Sequence, residues 1–212
     1  MRENWKQLNC TRILTTTRTR DHVGSSQGAV ARLWNRKVCG GAELVRKTDI
    51  VCGAGAAAVL NNTFACTCEV GEAVLIPAPY YAAFENDMEV LSGLRPVKVV
   101  VGDVVRGPTT EEWEAAWAGA KALGLEVGAI LVTNPNNPVG VCYRCTVVEE
   151  ALKWARAKSL FIIVDEIYAL SIHGDEGEKV GGGGKGGTSE ARATEGKGPL
   201  FVPMMEIYPI RM

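Results

Sequence analysis

Histidine is scarce in this sequence. Only His22 and His173 occur in 212 residues, and neither stands at a spacing that would let it join a cysteine around a metal. A structural zinc site needs about four ligands. The Cys66-x-Cys68 and Cys142-x-x-Cys145 pairs, without histidine partners, are therefore read as free thiols of a reducing compartment, and no metal is expected. An excess of either charge is missing as well. The 23 basic and 24 acidic residues leave a net charge of -1, which removes the electrostatic case for nucleic acid or an anionic membrane as a partner. No apolar run approaches the roughly 18 residues of a membrane span. The N-terminal stretch has no apolar core of a secretory signal. It is basic and rich in threonine, with Glu3 its one acid before Asp21, a composition shared in part with organelle-import leaders; the cytoplasm is the expected compartment. No segment repeats at a period of about 20–50 residues, which excludes a solenoid.

What is present is an alternation of short apolar runs and helical patterns. "DIVC" (49–52), Ala73–Ile76, Val97–Val101, "VGAILVTNP" and "LFIIVDE" read as strands, the second stopped by Pro77 and Pro79. Between them lie helices. "QGAVARLWNRKV" places Val30, Leu33, Trp34 and Val38 on one face. Thr109 and Glu112 form a T-x-x-E capping box ahead of a helix whose buried stripe is Trp113, Trp117 and Ala120, and Thr146 and Glu149 repeat that start for a helix through about Lys158. Strands without polar alternation, separated by helices, specify an α/β fold: a mostly parallel sheet with helices on both faces. In such sheets ligands bind at the carboxyl ends of the strands, and the unusual residues of this sequence follow strand ends: Gly53–Ala58, Pro77–Tyr81, Asn134–Gly140 and Asp165–Tyr168.

Each of these four loops has a chemical reading. "GAGAAA" (53–58) opens a helix whose unpartnered amides favour an anion. It also fits G-x-G-x-x-A of a dinucleotide site, or a tight turn that lets helix and sheet pack closely. "PAPYY" (77–81) presents two rings that could stack on a flat ligand or pack among themselves. "TNPNNPVG" (133–140) repeats Asn-Pro and fixes an extended turn from which an asparagine amide could reach a ligand oxygen. "DEIY" (165–168) ends a buried strand in a carboxylate, which is costly without a positive partner. No lysine or arginine is near in sequence, so the protonated ring nitrogen of a heterocycle would serve.

Taken in order, "PAPYYAAFENDMEV", "LVTNPNNPVG" and "IIVDEIYA" resemble the class I/II aminotransferase family of pyridoxal-phosphate enzymes, within it the 1-aminocyclopropane-1-carboxylate synthase branch. The resemblance covers about Gly24 to Gly174 and implies the large domain of that fold, with pyridoxal 5'-phosphate as cofactor and an amino acid as substrate. It implies that the amides of Ala56 and Ala57 hold the cofactor phosphate and that the ring of Tyr81 stacks on the pyridine. Asn137 and Tyr168 would meet the phenolic oxygen, and Asp165 the ring nitrogen. It also implies homodimers, so that a shortened chain could pair with another copy or with a full-length relative.

The sequence departs from that family in three places. The lysine that would bond the cofactor is expected after "DEIY", yet Lys179, Lys185 and Lys197 stand in a glycine-rich tract and match no such context. Arg211 does not match the arginine that grips the substrate carboxylate, and His22 stands near the place of a tyrosine directed at the partner's phosphate. The organisation expected is an irregular segment 1–23, a partial cofactor-binding domain 24–174 with an exposed apolar sheet edge, and a disordered tail 175–212. The function expected is that of a truncated aminotransferase-like or synthase-like enzyme, inactive alone and lacking a catalytic lysine. The alternatives are a non-catalytic dimer partner, or a Rossmann nucleotide-binding domain. The last leaves the double Asn-Pro and Asp165 unexplained and finds only Glu69 and Glu72, ahead of the next strand, as ribose acids.

Overall fold

The computed structural model describes residues 11–15, 23–37, 45–169, 171 and 206–208, with 11–15, 23–25 and 206–208 described by backbone alone. In chain order they form β1 (Thr11–Thr15), α1 (Val23–Lys37), a 3-10 turn (Lys47–Asp49), β2 (Ile50–Gly53), α2 (Ala56–Thr67) and β3 (Ala73–Ala78). Next come α3 (Ala83–Asn86), prolonged by a π-helical stretch (Asp87–Ser92), then β4 (Arg95–Val100), α4 (Thr110–Ala122), β5 (Val127–Thr133), α5 (Cys145–Ala157), β6 (Phe161–Asp165) and β7 (Glu206–Tyr208). The strands join one sheet in the order β2-β1-β7-β6-β5-β3-β4. β1 pairs in parallel with β2, and β3, β4, β5 and β6 are parallel neighbours; β7 runs antiparallel to β1 and β6. The fold is α/β, as its apolar runs require.

Alternation along the central strands decides the layering. On one face Leu75, Ile130, Val132, Ile162 and Val164 meet α4 and α5 through Trp113, Ala120, Val148, Ala151 and Trp154. On the other, Val74, Ile76, Ala129, Leu131 and Ile163 meet α2 and the α3 helix through Leu60, Phe64, Phe84 and Met88. Because every residue of β5 is buried, that strand shows no hydrophobic–polar alternation in sequence. Both Thr109–Glu112 capping bonds form: the Thr109 amide donates to Glu112 Oε2 at 2.8 Å and the Glu112 amide to Thr109 Oγ1 at 3.3 Å. Trp113 stacks on Trp154 at 5.7 Å between centroids, a contact that contributes about 1 kcal/mol beyond burial. Glu114 accepts hydrogen bonds from Trp154 Nε1 and Lys158 Nζ and so ties α4 to α5.

The structure differs from the sequence reading at several points. Pro77 stays in β3 rather than stopping it: it pairs with Val99 of β4, beyond Leu75–Ile130, the last registered pair with β5. There the missing N–H breaks no registered rung with β5. Helix α5 starts at Cys145 with Arg144 as its N-cap and no side-chain cap, so Thr146 lies inside the first turn and caps nothing. On α1, Trp34 is buried but Leu33 is 41% exposed, because the packed stripe runs through Ala31 and Trp34. The sheet edges are β2 and β4, and both carry exposed apolar side chains, Val51 and Val100. Two strands arise where none was read, β1 within 1–23 and β7 within 175–212. His22, Val38, Lys179, Lys185, Lys197 and Arg211 lie outside the described residues.

Candidate active site

Helices α2 and α3 cover one face of the sheet, and the loops leaving β2, β3, β5 and β6 border a cavity of about 370 Å³ on that face. After β3 the chain moves outward to β4; after β5 it moves the other way to β6. The neighbours β3 and β5 are thus the point where strand order reverses, the place where open α/β sheets leave a crevice. Ala56, Ala57, Tyr81, Asn137, Asp165 and Tyr168, each singled out in the sequence, all line this cavity.

Its floor is polar and buried. Thr133 and Asp165 are register partners at the ends of β5 and β6. They continue the alternation of Ala129, Leu131 and Ile163, so both turn to the α2 and α3 face. Asp165 is 7% exposed, and its Oδ1 accepts the Ile167 amide at 3.2 Å. Among the described residues, no lysine, arginine or histidine lines the cavity. Burial therefore pushes the Asp165 carboxyl above the usual carboxylate range, with the Ile167 bond opposing the shift. Thr133 Oγ1 is buried without a hydrogen-bond partner among the described residues. Asp87, at the start of the π-helical stretch, adds a second buried carboxyl to the lining.

The walls differ in how they are held. At β2, Gly53 lies so close to α2 that a Cβ there would meet Val59 Cγ2 at 2.5 Å. Gly55 caps α2 at φ 97°, ψ 161° without any side-chain cap, a backbone region open essentially to glycine. The first α2 amides are consequently left to solvent or to an anion. At β5, Asn134 Oδ1 accepts the Tyr143 amide at 2.9 Å, and Asn136 Nδ2 donates to Tyr143 Oη at 3.0 Å. Asn136 Oδ1 also accepts the Val139 amide. Asn137, by contrast, has no side-chain hydrogen bond among the described residues and faces the cavity. Tyr81 and Tyr168 form a half-open rim, 47% and 42% exposed, and Tyr81 meets Phe84 edge-on at 5.5 Å. Its neighbour Tyr80 turns away and donates to Glu85 at 2.8 Å.

Sequence reading missed Thr133, Asp87 and the Tyr143 brace. Asp87 had a legible signal, since Tyr81, Phe84 and Asp87 follow one another at i, i+3 and i+6. The Tyr143 contacts span seven to nine residues and carry no periodic signature.

The family pattern described as aminotransferase class I and II matches residues 3–193. The chain belongs to this family. Among its curated relatives, the 1-aminocyclopropane-1-carboxylate synthase-like protein 1 of Bos taurus is 33% identical over 135 residues, which are 60% of this chain and 27% of that protein. The 1-aminocyclopropane-1-carboxylate synthase 5 of Oryza sativa is 33% identical over 138 residues, 64% of this chain and 26% of its own length. The chain thus spans under a third of the curated relatives it matches. Among solved aminotransferases, the one from Mycobacterium tuberculosis superposes with a TM-score of 0.62 at 20% identity, over 81% of this chain and 42% of that one. A Thermus thermophilus aspartate aminotransferase variant gives 0.58 at 24%, over 69% and 38%. These likenesses bear on fold. Pyridoxal 5'-phosphate is the cofactor of aminotransferase class I and II enzymes. Among the described residues, no helix of this aminotransferase-family chain is long and apolar enough to cross a membrane.

Proposed function

We propose that this chain is the cofactor-cradling part of a pyridoxal-phosphate enzyme acting on an amino acid, by amino transfer or by elimination, and that it turns over no amino acid alone. The observation that carries this reading is the single cavity shared by Ala56, Ala57, Tyr81, Asn137, Asp165 and Tyr168. The residues present suit the cofactor on their own chemistry. The uncapped start of α2 offers amides to a phosphate, and the buried Asp165 has no cationic partner among the described residues. When bound, the protonated pyridine ring supplies an electron sink for charge at the substrate α-carbon.

Each residue has a task of its own. The amides of Ala56 and Ala57 hold the phosphate, with small side chains that leave room for it. Tyr81 covers one ring face and excludes water from it. Asn137 and Tyr168 orient the phenolic oxygen by hydrogen bonds. Asp165 keeps the ring nitrogen protonated. After "DEIY" the sequence offers only Lys179, Lys185 and Lys197, all in a glycine-rich tract, and this is the ground for proposing inactivity of this chain alone. The same observation favours a second reading, a non-catalytic subunit that pairs with another copy or with a longer relative.

The test is to titrate the purified chain with pyridoxal phosphate, following absorbance and tryptophan fluorescence, with NAD as control and an amino acid mixture as substrate. Binding of pyridoxal phosphate without turnover is expected. Preference for NAD would overturn the cofactor assignment, and turnover lost on removing pyridoxal phosphate would overturn the inactivity. Co-purification with a longer relative is the outcome that decides for the second reading.

A further inference from the structure

Asp87 has no counterpart among the residues assigned above, yet it lines the same cavity. It is 8% exposed and has no side-chain hydrogen bond or ion pair among the described residues. Its place is fixed by the helix it opens. Tyr81, Phe84 and Asp87 follow one another at successive turns, and all three line the cavity. From Asp87 to Ser92 the helix widens to π geometry, a local departure that recurs at functional sites. Ser92 Oγ reaches both the Asp87 carbonyl, at 3.3 Å, and Asn61 Oδ1 on α2, at 2.8 Å. The backbone carrying Asp87 is therefore tied to the helix whose N-terminus borders the same cavity.

A buried carboxyl without a partner is unfavourable in the empty chain. Burial accordingly raises Asp87 from the usual carboxylate range. Among the described residues the cavity lining contains Asp165 as a second acid and no base, so a compensating positive charge is one that a ligand can bring. A phosphate would repel both acids, which leaves the phosphate to the uncapped end of α2. Thr133 Oγ1, buried beside Asp165 and unpartnered among the described residues, is a further sign that this floor is completed by a ligand with its own polar atoms.

We propose that Asp87 is a second cation-binding carboxyl group of this cavity, taking a protonated nitrogen of the bound ligand. The inference rests on the reading of the cavity as a pyridoxal-phosphate site. Two nitrogens share the required chemistry: that of the pyridine ring, held jointly with Asp165, and an ammonium group carried on the ligand. An acid at this place favours ligands with positive nitrogen over neutral rings of the same shape.

Three probes separate the sources: pyridoxal phosphate, its deaza analogue with a ring CH in place of nitrogen, and pyridoxamine phosphate, which adds an ammonium group. Each is titrated into the 212-residue chain and into Asp87→Asn, with a melting curve for each protein. If the ring nitrogen is the partner, Asp87→Asn weakens pyridoxal and pyridoxamine phosphate by about ten-fold and leaves the deaza analogue unchanged. If an ammonium group is the partner, pyridoxamine phosphate alone weakens by that factor. Equal changes for all three probes, or none, overturn the proposal while leaving the cofactor site intact. Failure of the unmodified chain to bind any probe overturns the cofactor reading, and this inference with it. Should Asp87→Asn not fold, Asp87→Glu, whose carboxyl is displaced by one methylene, is read in the same titrations. Unchanged ratios among the probes then overturn the proposal.

Discussion

Two loops bordering the cavity solve the same problem by opposite means. The turn after β2 is nearly bare: Gly53 and Gly55 set its path, and Ala56 and Ala57 present backbone amides. The loop after β5 is braced, with Asn134 and Asn136 both spent on Tyr143, leaving Asn137 for the cavity. A site that offers amides needs its side chains out of the way. A site that offers one amide side chain needs its neighbours locked so that this one is aimed. Of two Asn-Pro units in one loop, the first is therefore structural and the second borders the cavity.

That contrast can be broken at defined points. The largest effect is expected at the floor that both loops flank. Asp165→Asn should weaken pyridoxal phosphate about 100-fold, the scale for losing one partner of a buried charge pair, read by fluorescence titration. The same change should stabilise the ligand-free chain by about 1 kcal/mol at neutral pH, since function here opposes stability. The sign follows from burial, which raises the carboxyl. For such an acid the contribution to stability is complete below its unfolded value of about 4 and is lost as pH rises through the folded value. The melting advantage of the Asn variant should therefore shrink on acidification, and an advantage that grew would contradict the assignment.

Next in size is the bare turn. Gly55→Ala meets no atom within 4 Å, so its cost is purely backbone, about 1–3 kcal/mol for leaving a region open only to glycine. A denaturant midpoint reads it, and phosphate affinity should fall with it. Tyr143→Phe tests the braced loop by leaving Asn136 Nδ2 buried without an acceptor, a loss of about 1–2 kcal/mol. Its effect on binding should be confined to the contact made by Asn137. The smallest change is expected from Thr133→Val, which removes a buried hydroxyl that has no partner among the described residues. The empty chain should melt unchanged or about 0.5 kcal/mol more stable, while cofactor affinity drops slightly.

Much of this arrangement was legible because the relevant signals are local. Mainly apolar runs, interrupted in β4 by Lys98, gave β2 through β6, and Thr109 with Glu112 gave the start of α4. Four odd loops at strand ends gave the cavity, because a parallel sheet places those ends together. The rest depends on contacts distant in the chain. β7 is three residues long and is defined by its pairing with β1 and β6; nothing in Glu206–Tyr208 announces it. β1 likewise takes its identity from its partner β2. Arg144 starts α5 without a side-chain cap, so the nearest T-x-x-E sequence misplaced the helix by a turn's fraction. Asp87 has only its i, i+3, i+6 spacing from Tyr81 and Phe84 as a local signal, and its burial comes from packing against the cavity.

The pairing of Thr133 with Asp165 has one more consequence. Side chains alternate along both strands, so a slip of one residue between β5 and β6 would exchange this polar couple for its neighbours on one strand and send the carboxyl to the opposite face. Such a molecule could keep most of its backbone ladder and still have no floor. A cofactor that binds the correct floor therefore proofreads the alignment, drawing the population by mass action toward chains whose central strands are in step.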